Sequence, residues 1–259
     1  MQGHIATFSA PLRWLSISWK AIRNATFGMI TVTMFYIFTM SLLGTLPFGG
    51  LVAAAMFMPF GTLLIVRATK DAYEGKTPGY SILKELVTEP SQRTRQLQIG
   101  LIYGVFLLVA NFAHTYLALD SIRQWQVVDG HLVWSSVWAN IPWTAYIVTF
   151  IIFVSGQMAT WFAPMLVAWK NMTVGKAIFY SFFGCLRNWM AVLVISAIII
   201  GLTFALGMVA SFILMTFNIA NHSVFILAPL AFFISALAYG TMWPMWIDIY
   251  GDIAVDDPN

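Results

Sequence analysis

Four long runs without a charged residue constrain the fold of this chain more than any other feature. They cover residues 25 to 66, 99 to 119, 132 to 169 and 189 to 247. An α-helix rises about 1.5 Å per residue, so about 20 apolar residues cross a hydrocarbon core of about 30 Å. Of the 259 residues, 60% are hydrophobic and 9% are charged, whereas a soluble domain has about 25% charged residues. The sequence therefore predicts an all-α polytopic membrane protein.

The basic residues indicate which ends of the spans face the cytoplasm. Twelve of the thirteen Lys and Arg residues form three clusters at or near predicted span ends: Arg13, Lys20 and Arg23; Arg67, Lys70, Lys76, Lys84, Arg93 and Arg95; and Lys170, Lys176 and Arg187. Because Lys and Arg are enriched in cytoplasmic loops, we expect all three clusters, and both termini, in the cytoplasm. This pattern accounts for the net charge of +3, so nucleic acid is not expected as a partner.

A short amphipathic segment followed by two apolar spans recurs three times. In the first segment, Arg13, Lys20 and Arg23 share one helical stripe, with apolar side chains opposite. This pattern is typical of a helix in the membrane interface, and we expect Trp14 and Trp19 at headgroup depth. Such periodicity predicts six transmembrane helices in three repeats, each an interfacial helix plus a transmembrane hairpin. The repeats cover about 4 to 70, 78 to 169 and 173 to 248, followed by an acidic tail at 249 to 259.

Three prolines support this division. Pro59, Pro164 and Pro244 each fall late in the second span of a repeat. Proline has no backbone N–H, so the carbonyl four residues earlier loses its helical partner. We therefore predict a kink in each second span, towards its cytoplasmic end.

No sequence motif in the chain indicates catalysis. The sequence contains no GxxxxGK[ST], HExxH, GxSxG or dinucleotide-binding pattern, and these are the usual marks of phosphate binding and hydrolysis. The single cysteine, Cys185, excludes an intrachain disulfide and a cysteine-based zinc site. We therefore expect no catalytic residues, no cofactor and no metal.

A few polar residues within the predicted spans are candidates for a site. Asn111 and His114 lie three residues apart, and so on one helix face, while Gln157 falls near the middle of the next span. One interpretation is a hydrogen bond between Asn111 and Gln157 that joins the hairpin. The other is a polar floor for a small ligand.

The histidines leave a further question open. His114, His131 and His222 all fall on the predicted non-cytoplasmic side, with Asp120 and Asp129 nearby in sequence. Histidine and carboxylate ligands suit zinc or copper, and two of the histidines could serve as haem ligands. The more ordinary interpretation is that all three histidines are membrane-interface residues.

Two stripes of small residues predict close helix packing. Gly100 and Gly104 form a GxxxG motif, and Ala197, Gly201 and Ala205 repeat a small residue at every fourth position. Such stripes let helix backbones approach one another. They indicate packing either within the monomer or across a dimer interface.

Acidic residues near the carboxyl terminus suggest a contact that closes the bundle. Asp248 and Asp252 follow the last predicted span on the side that is rich in cations. In a ring of three hairpins the last span returns beside the first. One interpretation is a solvated, frayed carboxyl terminus, since chain ends are commonly disordered. The other is that these carboxylates pair with Arg67, Lys70 or Arg187.

Several segments carry a resemblance to a known family. They are PLRWLSISWKAIRN, RATKDAYEGKTP, WFAPMLVAW and GKAIFYSFFGCLRNW. In this order they resemble a family of uncharacterised bacterial inner-membrane proteins, which implies six spans and the bacterial inner membrane but no activity. A looser likeness is to mitochondrial carriers. Gly61, Leu166 and Trp246 stand at the acidic positions of the carrier signature, so the salt-bridge gate of carriers is not implied.

Two functions are consistent with these features. The first is a non-catalytic accessory, assembly or scaffold component that lies in the lipid bilayer and binds a membrane-protein partner or a second copy of itself. The alternative is a small-solute or lipid transporter with a cavity between the repeats. A continuous cavity lined by Asn111, His114 and Gln157 would favour transport, whereas tight packing there and an exposed apolar groove would favour partner binding.

Overall fold

The computed structural model describes residues 4–47, 49–217 and 223–251, which are almost entirely helical. The helices are α1 (Ala10–Asn24), α2 (Thr26–Gly44), α3 (Gly50–Tyr73), α4 (Ser81–Thr88), α5 (Pro90–Ile122), α6 (Trp134–Ala139), α7 (Trp143–Thr160), α8 (Ala163–Lys170), α9 (Val174–Arg187), α10 (Trp189–Thr216), α11 (Ser223–Gly240) and α12 (Met242–Tyr250). Within these residues, six spans are long and apolar enough to cross a membrane. The predicted all-α polytopic fold is therefore confirmed.

Four of the spans are single helices and two consist of two helices each. The single helices are α2, α3, α5 and α10, while α7 continues into α8 and α11 continues into α12. The breaks fall at Trp161–Phe162 and at Thr241. Pro164 and Pro244 lie in the first turn of the helix after each break, whereas α3 continues uninterrupted through Pro59.

The long connection between α5 and α7 is partly ordered by a small hairpin. Strands β1 (Val127–Val128) and β2 (His131–Leu132) pair antiparallel. Asp129 and Gly130 between them have φ angles of 50° and 78°, the left-handed conformation that a tight two-residue turn requires. The hairpin, α6 and the start of α7 form what we call the loop end of the bundle. Its exposed tryptophans are Trp134, Trp138 and Trp143.

The buried core lies at the opposite end, which we call the α1 end. It is formed by α1, the second half of α3, α8, α9 and α12. Trp14, Phe162 and Trp246 are among its fully buried side chains. The spans differ in burial: 61% of the apolar stretch of α3 is buried, whereas only 6% of the apolar stretch of α10 is buried. The bundle is therefore well packed at the α1 end, and α10 is largely exposed.

The three short helices have different surroundings, although each precedes two apolar spans as predicted. Helix α1 packs against α3, α10, α11 and α12, and α9 packs against α7 and α8. Helix α4 contacts α5 and α3, and its described side chains are half-buried or exposed. That the three units of one short helix and two apolar spans are repeats of one another stays a prediction. Trp14 is buried in the protein, because α1 packs against several other helices, and its expected position at headgroup depth stays a prediction.

The first stripe of small residues lies at a helix contact within the monomer. A Cβ atom added to Gly100 would lie 2.7 Å from the Ala55 carbonyl oxygen. Pro59 leaves that carbonyl without its helical N–H partner, since it lies four residues earlier. Helix α5 therefore covers the exposed carbonyl of α3, and Gly104 continues the same contact against Ala55 and Val52.

We expect Gly100→Ala to destabilise the protein by about 1–3 kcal/mol, because the added methyl group would overlap the α3 backbone. Thermal unfolding in detergent measures this change. Gly201→Ala is the matched control, since no atom lies within 4 Å of a Cβ at Gly201. Equal melting temperatures for the two variants would show that α5 does not pack on α3 in this way.

Candidate functional site

The three polar residues expected at a common site lie apart. The Asn111 side chain is exposed and Gln157 is half-buried, with no hydrogen bond between these two described residues. His114 is half-buried, and its ring lies 5.4 Å from that of Tyr146. The expected polar cluster is therefore not formed by Asn111, His114 and Gln157.

The register of α5 against α7 explains this separation. A Cβ on Gly156 would lie 2.8 Å from Phe106, so these two positions are at the same level of the antiparallel pair. Gln157 is then level with residue 105, and Asn111 lies six residues farther along α5. At about 1.5 Å per residue, this offset is about 9 Å. The two described side chains therefore leave the helix pair at different levels, and no hydrogen bond joins them.

The histidines are not gathered in the part of the chain that can be described. His131 is exposed in the β-hairpin, and His114 contacts Tyr146. No three His, Cys, Asp or Glu residues come together within residues 4–47, 49–217 and 223–251. His222 lies outside the described residues, so a metal or haem role for it stays a prediction.

The basic residues of α1 do not form a single stripe without contacts to the rest of the protein. Arg13 pairs with Asp248, and the Lys20 ammonium lies 4.5 Å from the centre of the Tyr73 ring. Arg23 is exposed. Two of the three cations predicted to face water or lipid therefore interact with other parts of the protein.

Asp248 connects the last helix to the first amphipathic helix. Its carboxylate accepts hydrogen bonds from the Arg13 guanidinium and, at 2.6 Å, from Trp14 Nε1. The prediction that Asp248 pairs with Arg67, Lys70 or Arg187 was therefore wrong. Arg67 and Lys70 instead pair with acidic residues four positions later, in and directly after α3, because such neighbours share one helix face.

The predicted ring closure thus occurs through α1, which lies between α3 and α12. The Asp248 side chain is only 16% exposed, so its two hydrogen bonds are partly shielded from water. Asp252 lies outside the described residues, and its pairing stays a prediction.

Ser181 of α9 is inserted into the break between α7 and α8. The Phe162 N–H donates to Ser181 Oγ at 2.9 Å, and Ser181 Oγ donates to the Met158 carbonyl at 2.8 Å. In an unbroken helix, the N–H of Phe162 would bond directly to the carbonyl of Met158. The serine hydroxyl therefore replaces one helical hydrogen bond with two, and both backbone groups remain paired.

Ser18 of α1 has a similar role at the break between α11 and α12. Its hydroxyl donates to the Leu237 carbonyl at 2.7 Å. The helical partner of that carbonyl would be the Thr241 N–H, which bonds to the Ala238 carbonyl instead. A Cβ on Gly240 would overlap the Ser18 hydroxyl, so glycine is required for this approach.

We call these two arrangements the serine-bridged breaks: Ser181 with residues 158 to 162, and Ser18 with residues 237 to 241. The sequence interpretation did not identify either serine. One signal was present, because Ser18 lies among the apolar positions of an amphipathic helix. A buried hydroxyl on such a face requires a hydrogen-bond partner.

The described side chains of this region show structural rather than reactive roles. Both bridging hydroxyls donate to backbone carbonyls. Burial raises the pKa of the Cys185 thiol to about 12, so its thiolate fraction near neutral pH is very small. The arrangement holds helices together and offers no activated nucleophile at these three positions.

We expect Asp248→Asn to lower the free energy of unfolding by about 1–3 kcal/mol, because Arg13 and Trp14 lose a charged acceptor. Chemical or thermal denaturation in detergent measures the loss. Asp120→Asn is the control, since Asp120 and its partner Arg123 have side chains that are 91% and 68% exposed, and exposed pairs contribute about 0–1 kcal/mol. Equal stability of the two variants would contradict the role of Asp248.

Comparisons of the chain with protein-family models, with curated proteins and with solved structures gave no match. The resemblance to bacterial inner-membrane proteins therefore stays a prediction.

Proposed function

We propose that this multi-pass membrane protein is a non-catalytic accessory, assembly or scaffold component that binds a second membrane protein through α10. The proposal is based on the exposure of α10. Only 6% of its apolar stretch is buried, whereas packing between helices is what normally holds a span in a bundle.

The small residues of α10 support this proposal. Ala197, Gly201 and Ala205 are all exposed, and nothing lies within 4 Å of a Cβ placed on Gly201. The GxxxG motif of α5, by contrast, is covered by α3. A stripe of small residues allows a neighbouring backbone to approach closely, and the α10 stripe still has room for such a neighbour.

We further propose that the α1 end faces the cytoplasm of a bacterium and that the protein lies in the inner membrane. The three basic clusters belong to α1, α3 to α5, and α8 to α9, and all of these meet the α1 end. Arg123 alone among the Lys and Arg residues follows α5 at the loop end. This asymmetry supports the orientation, because cytoplasmic loops carry the excess of Lys and Arg.

Transport of a small solute or lipid is the alternative function. It is less well supported, because Asn111, His114 and Gln157 do not line a common space. One observation favours it: an apolar cavity of about 270 Å³ lies beside both serine-bridged breaks. Broken helices often form binding sites in transporters.

The test of the α10 surface is affinity purification from native membranes, followed by quantitative mass spectrometry. Gly201→Leu fills the stripe, and we expect it to reduce recovery of the partner by about tenfold, equivalent to about 1.4 kcal/mol. Gly207→Leu is the matched control, because Gly207 also has open space around its Cβ position but lies about 120° away around the helix.

A differently tagged second copy that is lost with Gly201→Leu would identify the partner as the same chain. Recovery of the same membrane proteins by the wild type and both variants would contradict binding through α10.

A further inference from the structure

A lateral cavity of about 270 Å³ lies where α10 passes the two serine-bridged breaks. Its volume is near the lower end of the range for small-molecule sites. Six of its lining residues are Trp161, Ile195, Ser196, Ile199, Thr241 and Met245. The wall is mainly apolar, so the cavity suits a hydrocarbon chain better than a polar solute.

Two hydrogen-bond donors on this wall lack acceptors, whereas the Thr241 hydroxyl donates to the Ala238 carbonyl at 2.6 Å. Ser196 is exposed on α10, and no hydrogen bond to its hydroxyl is formed within the described part of the chain. The enclosed Trp161 Nε1 also has no partner there. A ligand with an acceptor oxygen would therefore match the cavity.

The depth of the cavity in the bilayer specifies what kind of acceptor is available. The exposed Trp143 begins α7 at the loop end, and tryptophan is enriched at membrane interfaces. Helix α7 has 18 residues, or about 27 Å, which is close to the thickness of the hydrocarbon core. Trp161 therefore lies near the opposite interface, where the ester groups of glycerolipids are found.

The length of α11 places the second break at the same depth in the bilayer. It also has 18 residues, from Ser223 to Gly240, and Thr241 follows at the break. The two breaks and the cavity between them therefore lie at one level, at the boundary between the hydrocarbon and the headgroups.

We propose that this cavity is a glycerolipid site. One acyl chain lies against Ile195 and Ile199, and its ester carbonyl accepts a hydrogen bond from the Ser196 hydroxyl. The contact recognises the ester and not the headgroup. The proposal does not depend on partner binding through α10, because it concerns the face of the helix that is turned towards the breaks.

The test is native mass spectrometry of the full-length protein with a diester phosphatidylethanolamine and with its diether analogue. An ether oxygen is a weaker acceptor than an ester carbonyl. We expect the wild type to bind the diester about three- to tenfold more tightly, as loss of one neutral hydrogen bond would produce. Ser196→Ala should remove this preference.

Ser211→Ala is the matched control, because Ser211 is also exposed on α10 but lies fifteen residues, or about 22 Å, farther along the helix. It should retain the preference for the diester. Either equal binding of both lipids by the wild type or an unchanged preference in Ser196→Ala would overturn the ester contact.

Ser196→Phe tests the cavity itself. The larger side chain extends into the cavity from an exposed position, so the fold should be retained, as thermal unfolding would verify. We expect it to reduce retention of both lipids and to lower the rise in melting temperature that added diester lipid causes in the wild type. Lipid retention and lipid stabilisation equal to those of the wild type would overturn the site.

Discussion

Every backbone N–H and C=O group that is shielded from water, by hydrocarbon or by a packed core, must find a partner inside the protein, because these surroundings provide none. Two spans of this chain break near prolines, and the short helices α1 and α9 supply the missing partners through Ser18 and Ser181. At Pro59 no serine is used, and the close approach of Gly100 covers the Ala55 carbonyl. The positions of α1, α5 and α9 in the bundle are therefore coupled to the prolines of the spans that they contact.

This constraint also explains the uneven packing of the molecule. The breaks lie at the α1 end, where Trp14, Phe162 and Trp246 are fully buried and Asp248 joins α12 to α1. The halves of the spans towards the loop end contribute less to the core. In α10 only 6% of the apolar stretch is buried, and most of its residues are exposed. The same asymmetry leaves a surface for a protein partner and, near the breaks, a cavity of a size and depth suited to a lipid chain.

Much of the fold could be predicted because bilayer thickness sets the length of apolar runs, and all six spans follow from that rule. The contacts between spans could not be predicted in the same way. Whether Asn111 meets Gln157 depends on the register of α5 against α7, which the Gly156–Phe106 contact shows and the pattern of apolar runs does not specify. The partner of Asp248 depends on α1 lying between α3 and α12. Ser18 and Ser181 were overlooked because their importance depends on breaks in distant helices.

The central claim is that short helices hold the broken spans through serine hydroxyls. The most direct measurement is the free energy of unfolding of Ser181→Ala, compared with Ser211→Ala on exposed α10. We expect Ser181→Ala to lose about 1–3 kcal/mol, because the Phe162 N–H and Met158 carbonyl would lose their shared partner inside the protein. Ser211→Ala should change the stability by less than about 0.5 kcal/mol. Equal stability of the two variants would contradict the claim.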